Sequence, residues 1–221
     1  MRRRILRPAV AVLMAGALGV GVGALAPVAS VGHEGAHPKA AKLSRVVFHE
    51  QMLRLWEDHV AWTRLFIVSF AEELPDQDAT AARLLENQVQ IGNAIEPFYG
   101  EAAGDQLTDL LQEHISIAVD VLVAAKAGDD PALNDALDAW YANGRAIADF
   151  LHAANPELWG RKEMRSMMRM HLDLTLQEAS DRLAGDYEAD IADYDAVEAE
   201  IAEMSHMLAR GIVRQFPQRF S

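Results

Sequence analysis

Three histidines, His59, His114 and His171, stand in this sequence at positions whose neighbours at helical spacing are apolar: Met52, Leu55 and Phe66 around the first, Leu107, Leu111 and Val121 around the second, Met164, Met168 and Leu174 around the third. An imidazole in such a stripe carries two polar nitrogens into apolar surroundings, and each nitrogen needs a hydrogen-bond partner, a water or a metal. Neutral imidazole is also the commonest protein ligand for zinc, copper, iron and nickel. Three rings meeting at one level would therefore make either a hydrogen-bonded layer or a metal site. The run MRSMMRMH places Met164, Met167, Met168 and Met170 beside His171, and MSHM adds Met204 and Met207 on either side of His206. Thioether sulfur is soft and favours Cu(I), although methionine at helical spacing also serves as adaptable core filling. The expected metal set is His59, His114 and His171 with Met167 and Met168 as soft partners, and the expected ion is copper ahead of zinc or iron.

Uncharged amides accompany the histidines. Asn87 and Gln88 fall near the middle of one helical stretch and Asn143 near the middle of another, so a polar layer of Asn87, Gln88 and Asn143 at the height of the imidazoles is expected. Clustering matters because an unpaired buried amide or hydroxyl costs about 1 to 3 kcal/mol. A carboxylate-bridged di-iron site is not indicated, since Glu-x-x-His pairs at central stripe positions are missing and Glu57 and Glu113 are rotated away from the histidine face. GxSxG, GxxxxGK[ST], HExxH and GxGxxG after a strand are all lacking, which favours a non-enzyme. His33 and His37 fall in a Gly- and Pro-containing stretch and are expected to be incidental.

The elements that must position these residues are helices. Apolar residues at alternating three- and four-residue spacing predict a first helix from Ser44, a plausible N-cap, to Glu73, with Phe48, Met52, Leu55, Trp62, Phe66 and Phe70 inward. A second runs from Asp78 to Ile95 with Pro97 as its stop, a third from Asp105 to Lys126, and a fourth from Pro131 to Ala154 with Asp130 as cap. The fifth spans Lys162 to Leu183, with Met164, Met168, His171, Leu174 and Glu178 inward and Met167 and Thr175 flanking. The sixth spans Tyr187 to Arg214, with Ile191, Tyr194, Val197, Ile201, Met204, Leu208 and Ile212 inward. Neither strand-like alternation of useful length nor a repeat of fixed period is apparent. Helices of this length, about 30 to 45 Å long, joined by short turns must pack as an antiparallel up-and-down bundle; the fold class is all-α, with about six helices. Midpoints of such helices lie at similar height, and the three histidines lie near the midpoints.

The 221 residues are 51% hydrophobic, enough for one sizeable core. Arg2, Arg3, Arg4 and Arg7 precede an apolar run from Ala9 to Ala26, with small residues Val28, Ala29 and Ser30 after it. That pattern predicts a cleaved export signal over residues 1–30, a lead-in over 31–43, one bundle over 44–217 and a tail over 218–221, with no membrane span once the signal is removed. The paired arginines also suit twin-arginine export as well as the general secretory route. The chain would be extracytoplasmic, secreted or attached to the envelope. It has no cysteine, which excludes disulfides, thiolate ligands and a cysteine nucleophile. With 20 Lys and Arg against 33 Asp and Glu, the formal charge is −13, and loss of the signal arginines makes it more acidic still. Nucleic acid is excluded as a natural partner.

The strings LWEDHVAWTRLFIVS, DATAARLLENQ with IGNAI, FYGEAAGDQLTDLLQEHI, WYANG, and HLDLTLQEASDRLAGDYEADIADYD with GIVRQFP resemble a family of bacterial exported helical proteins. The resemblance covers roughly residues 51 to 217 and implies an exported helical bundle. Members carry labels such as glycosyltransferase or acetylglutamate kinase; the chain has no αβ nucleotide-binding unit to support either, so those activities are not carried over. His59, His114 and His171 lie within these strings, and the resemblance assigns them no role. The expected function is binding of a metal ion or small ligand in the polar layer. Its rivals are a structural or interaction protein at the cell surface, with a self-satisfied layer and an unidentified protein partner, and an enzyme using a histidine as general base among the tryptophans.

Overall fold

The computed structural model describes residues 42–221; the expected export signal, His33, His37 and most of the lead-in lie outside them. Six helices follow one another: α1 (Arg45–Ala71), α2 (Gln77–Tyr99), α3 (Glu101–Ala127), α4 (Asp130–Ala154), α5 (Arg161–Ala184) and α6 (Tyr187–Gln215), then a 3-10 turn, Pro217–Arg219. The described residues form an all-α bundle without a named strand. Each helix packs on the next, and α6 closes on α1, so the six form a ring; α5 also touches α1 and α3 across the middle. Short turns between packed neighbours make them antiparallel, and α1, α3 and α5 run the same way.

The helix ends show which sequence signals prevailed. Ser44 caps α1, accepting from the Val47 amide at 3.4 Å. Asp129 rather than Asp130 caps α4, accepting from the Ala132 amide, which puts Asp130 and Pro131 inside the first turn where proline is at home. Pro97 does not stop α2. It sits in the last turn, and the helix ends only at Gly100, whose φ of 90° is left-handed backbone that favours glycine. Along α6, Ile191 is exposed and Asp190 is fully buried instead, for a reason given with the site. The tail is fixed: Phe220 is buried against Phe48 and Phe98, and Ser221 donates its amide to the Leu43 carbonyl.

Apolar burial drives the assembly, at about 1.5 to 3 kcal/mol for each large side chain fully removed from water. Two apolar clusters fill the interior. The larger gathers Phe48, Met52, Trp56, Met164 and Met168 with Ile201, Met204 and Leu208; the smaller gathers Phe66, Ile67, Leu84, Leu122 and Ala179. Along α1 and α5, His59 and His171 lie at the end of the larger cluster that faces the smaller, each just before its last member there, Val60 and Leu172.

The three helical hairpins repeat one another, although no fixed period is visible in the sequence. Buried Met52, Trp56, His59 and Val60 of α1 correspond to Leu107, Leu111, His114 and Ile115 of α3 and to Met164, Met168, His171 and Leu172 of α5. On the even helices, Leu84, Asn87, Ile91 and Ile95 correspond to Trp140, Asn143, Ile147 and Leu151 and to Val197, Glu200, Met204 and Leu208. Loop lengths differ slightly between hairpins and side chains differ almost everywhere, so only the buried pattern carries the repeat.

Helices α2 and α3 cross at two glycines. A Cβ on Gly92 would lie 2.6 Å from the Gly104 carbonyl, and one on Gly104 would lie 2.9 Å from the Gly92 carbonyl, so backbone meets backbone. Gly92→Ala is expected to destabilise the bundle by about 1 to 3 kcal/mol through overpacking, read as a lower midpoint in urea denaturation.

Candidate functional site: a central layer of imidazoles

His59, His114 and His171 come from α1, α3 and α5 and are buried, at 3%, 3% and 5% exposure. The rings of His59 and His171 are 5.7 Å apart, centroid to centroid. Trp56 meets His59 edge-on, and Trp140 stacks on His114 at 5.3 Å. Each imidazole is held through Nδ1 by a polar residue of the next helix: Gln88 Nε2 at 3.2 Å from His59, Asn143 Oδ1 at 2.9 Å from His114, and Glu200 Oε2 at 3.1 Å from His171. In all three hairpins the partner lies 29 residues after its histidine. Asn87, beside Gln88, donates to the Leu55 carbonyl and accepts from Gln88; Asn143 does the corresponding thing at Leu110 and reaches Glu113 as well.

The tautomers are assigned from this network. Asn143 spends its amide group on Leu110 and Glu113, so its oxygen faces His114, and His114 Nδ1 carries the proton it donates. His171 Nδ1 likewise donates to the Glu200 carboxylate. Gln88 presents nitrogen, whose two hydrogens are shared among the Leu84 carbonyl, Asn87 Oδ1 and His59 Nδ1; a protonated Nδ1 would face a donor, so the His59 proton is assigned to Nε2. The layer thus has an Nε2 lone pair on His114, a second on His171 when that ring is neutral, and one Nε2–H on His59. Among the described residues these three Nε2 atoms make no side-chain hydrogen bond of the kind that fixes Nδ1.

Burial holds His59 and His114 neutral. His59 is pushed well below the usual imidazole range by desolvation, then by His171 and His114 nearby; His114 is pushed down to about 3 by desolvation and by His171, against the pull of Asn143. Several polar atoms around the layer lack a partner: Trp56 Nε1, Trp140 Nε1, Gln88 Oε1, Glu200 Oε1 and Ser205 Oγ. Glu200 is itself 5% exposed, and a buried carboxylate calls for a positive neighbour. One helical turn further on, Thr63, Ala118 and Thr175 help to line an apolar cavity of about 30 Å³ that also touches Trp140.

The residues expected from sequence divide as follows. His59, His114 and His171 come together, with Asn87, Gln88 and Asn143 as their supports. Met168 is buried in the turn before His171, at the place taken by Trp56 and Leu111 in the other hairpins, while Met167 lines a surface groove between α5 and α6. Among the described residues no group of three or more His, Cys, Asp or Glu is disposed to hold a metal ion. No family model, no curated protein and no solved structure matches the chain.

Sequence reading missed Glu200, though Val197, Glu200, Ile201 and Met204 form a continuous inward stripe on α6. It missed a second buried cluster too. Arg64 of α1 makes a two-pronged contact with Asp190, at 2.7 and 3.1 Å, and reaches Glu178 at 2.9 Å; Arg182 adds a contact to Asp190 and pairs with Glu72. This is why Asp190 turns inward and Ile191 outward. Burial lifts Glu178 to about 7 in spite of Arg64. Acidic residues in the first turn of a helix ordinarily face solvent and the helix dipole, so Asp190 gave no warning.

Neutral buried imidazoles make stability depend on pH. Below an ordinary imidazole pKa of about 6.5 the unfolded chain takes protons that the folded chain refuses, so stability falls as pH falls. Glu178 acts in the opposite sense between about 4.5 and 7, because the folded form holds its proton longer. The contribution of one histidine is therefore read by difference. Between pH 7 and pH 5, wild type should lose about 2 kcal/mol more than His114→Gln, measured by urea denaturation; equal losses would show that His114 is not held neutral.

Proposed function

We propose that the mature protein is an exported helical bundle, akin to the bacterial family its sequence resembles, whose central imidazole layer binds one transition-metal ion or small polar ligand. No catalytic step is assigned to it. The observation that carries this reading is the anchoring of His114 and His171 through Nδ1, which leaves Nε2 as their outward nitrogen, together with a buried Glu200 oxygen that has no partner. Nδ1 anchored to an amide or carboxylate is the way proteins orient metal-binding imidazoles, because the anchored N–H leaves Nε2 as the basic nitrogen. Low pKa values for His59 and His114 keep these rings in the neutral form that ligates.

A cation in the layer would offset the buried charge of Glu200. His114 and His171 are the ligands to expect first; His59 joins them only after its proton moves from Nε2 to Nδ1, which breaks its present bond with Gln88. Copper is placed ahead of zinc and iron because thioethers lie close to His171 in sequence and Met168 is buried one turn away. A second reading has its own support. All three Nδ1 atoms are already partnered, and the layer then serves to fix helix register, as a buried polar residue does in a coiled coil.

Protein recovered from the envelope or medium of its native host should have a mass consistent with cleavage near Ser30 and carry about one equivalent of transition metal by inductively coupled plasma mass spectrometry. The double variant His114→Gln, His171→Gln should lose that metal while keeping its helical circular dichroism. Metal-free wild type, or unchanged metal in the variant, would leave the layer as a structural device.

A further inference from the structure

We propose that the groove between α5 and α6 is a binding site for a monovalent soft metal ion, Cu(I) in the natural setting, held by methionine thioethers. This deepens the metal-binding reading by naming an ion class and the surface at which it arrives. It rests on sulfur ligands rather than imidazoles, so the two readings fail separately.

The groove has a volume of about 1010 Å³. Met167 and Met170 of α5 form one wall, Met204 and Met207 of α6 the other, with Glu200 and His206 also on its lining. Core filling explains Met204, at 1% exposure, as it explains Met164 and Met168 elsewhere. Met167 and Met207 are half-buried at the edge of the same core and also face the groove; packing does not explain Met170, which is 47% exposed. An unbranched thioether fills no core on a surface, and its sulfur is a soft ligand there. The chain has no cysteine, so methionine supplies its only sulfur donors.

Glu200 links groove and layer. One carboxylate oxygen holds His171, the other is buried without a partner, and the same side chain lines the groove. The groove is close to neutral overall: Arg161, Lys162 and Arg210 on its lining are matched by Glu163, Glu200 and Glu203, and Arg161 is already held by Asp149. A site with soft neutral donors and little net charge suits a singly charged ion better than a divalent one.

Silver(I) is the probe, since it shares the ligand preference of Cu(I) without redox chemistry. The full mature chain, labelled with carbon-13 at the methionine methyls, is titrated with silver nitrate and followed by NMR. One equivalent should shift the Met167, Met170 and Met207 methyls and leave Met52 and Met164 in place, and zinc sulfate should shift none of them. Replacing Met167, Met170 and Met207 together by Leu, which keeps volume, should weaken silver binding at least ten-fold. Should that variant not fold, exposed Met170→Leu alone should weaken it about three-fold. In His114→Gln, His171→Gln the groove methyls should still shift. Absence of groove shifts, equal shifts with zinc, or undiminished binding in the leucine variants would overturn the proposal.

Discussion

Three imidazoles cannot be buried in one apolar core unless each is given a polar partner, and this protein meets that demand with the following helix of each hairpin. Gln88, Asn143 and Glu200 hold His59, His114 and His171 through Nδ1, and Asn87 and Asn143 bind back to the Leu55 and Leu110 carbonyls on the partner helix. A shift of one residue along either helix of a hairpin would strand a buried donor or acceptor, at about 1 to 3 kcal/mol each. Apolar packing favours the bundle; the polar layer selects its register. The repeated hairpin pattern is the trace of one such arrangement used three times around the ring.

The third hairpin departs from the other two. Where α2 and α4 present amides, α6 presents the Glu200 carboxylate, and it does so beside a groove lined by methionines. Neutral partners suffice to orient a ring, so the carboxylate introduces a charge that orientation alone does not need. The buried Arg64, Glu178 and Asp190 group handles its charges differently, by opposing a guanidinium to two acids. No such guanidinium meets Glu200 among the described residues, which directs attention to any cation the layer receives.

Much of this was legible from residue spacing. The six helices, the Ser44 cap and the gathering of His59, His114 and His171 follow from apolar periodicity and short turns, because both act locally and repeat. What escaped depended on partners distant in sequence. Glu200 reads as a solvent-facing acid until His171 is known to face it; Asp190 reads as an ordinary first-turn acid until Arg64 arrives from α1. Pro97 reads as a stop, yet a proline in the final turn forfeits little helix, and Gly100 with its positive φ ends α2 instead. The hairpin repeat was hidden because burial is preserved while side-chain identity is not.

The account stands on the protonation pattern of the layer, and long-range proton–nitrogen NMR of the metal-free protein at pH 7 reads it directly. The expected spectrum has His114 and His171 protonated at Nδ1, and His59 neutral with its proton on Nε2. Imidazoles exchanging between tautomers as they do in water, or His59 and His114 in the charged form, would mean that the partners do not hold the rings as described.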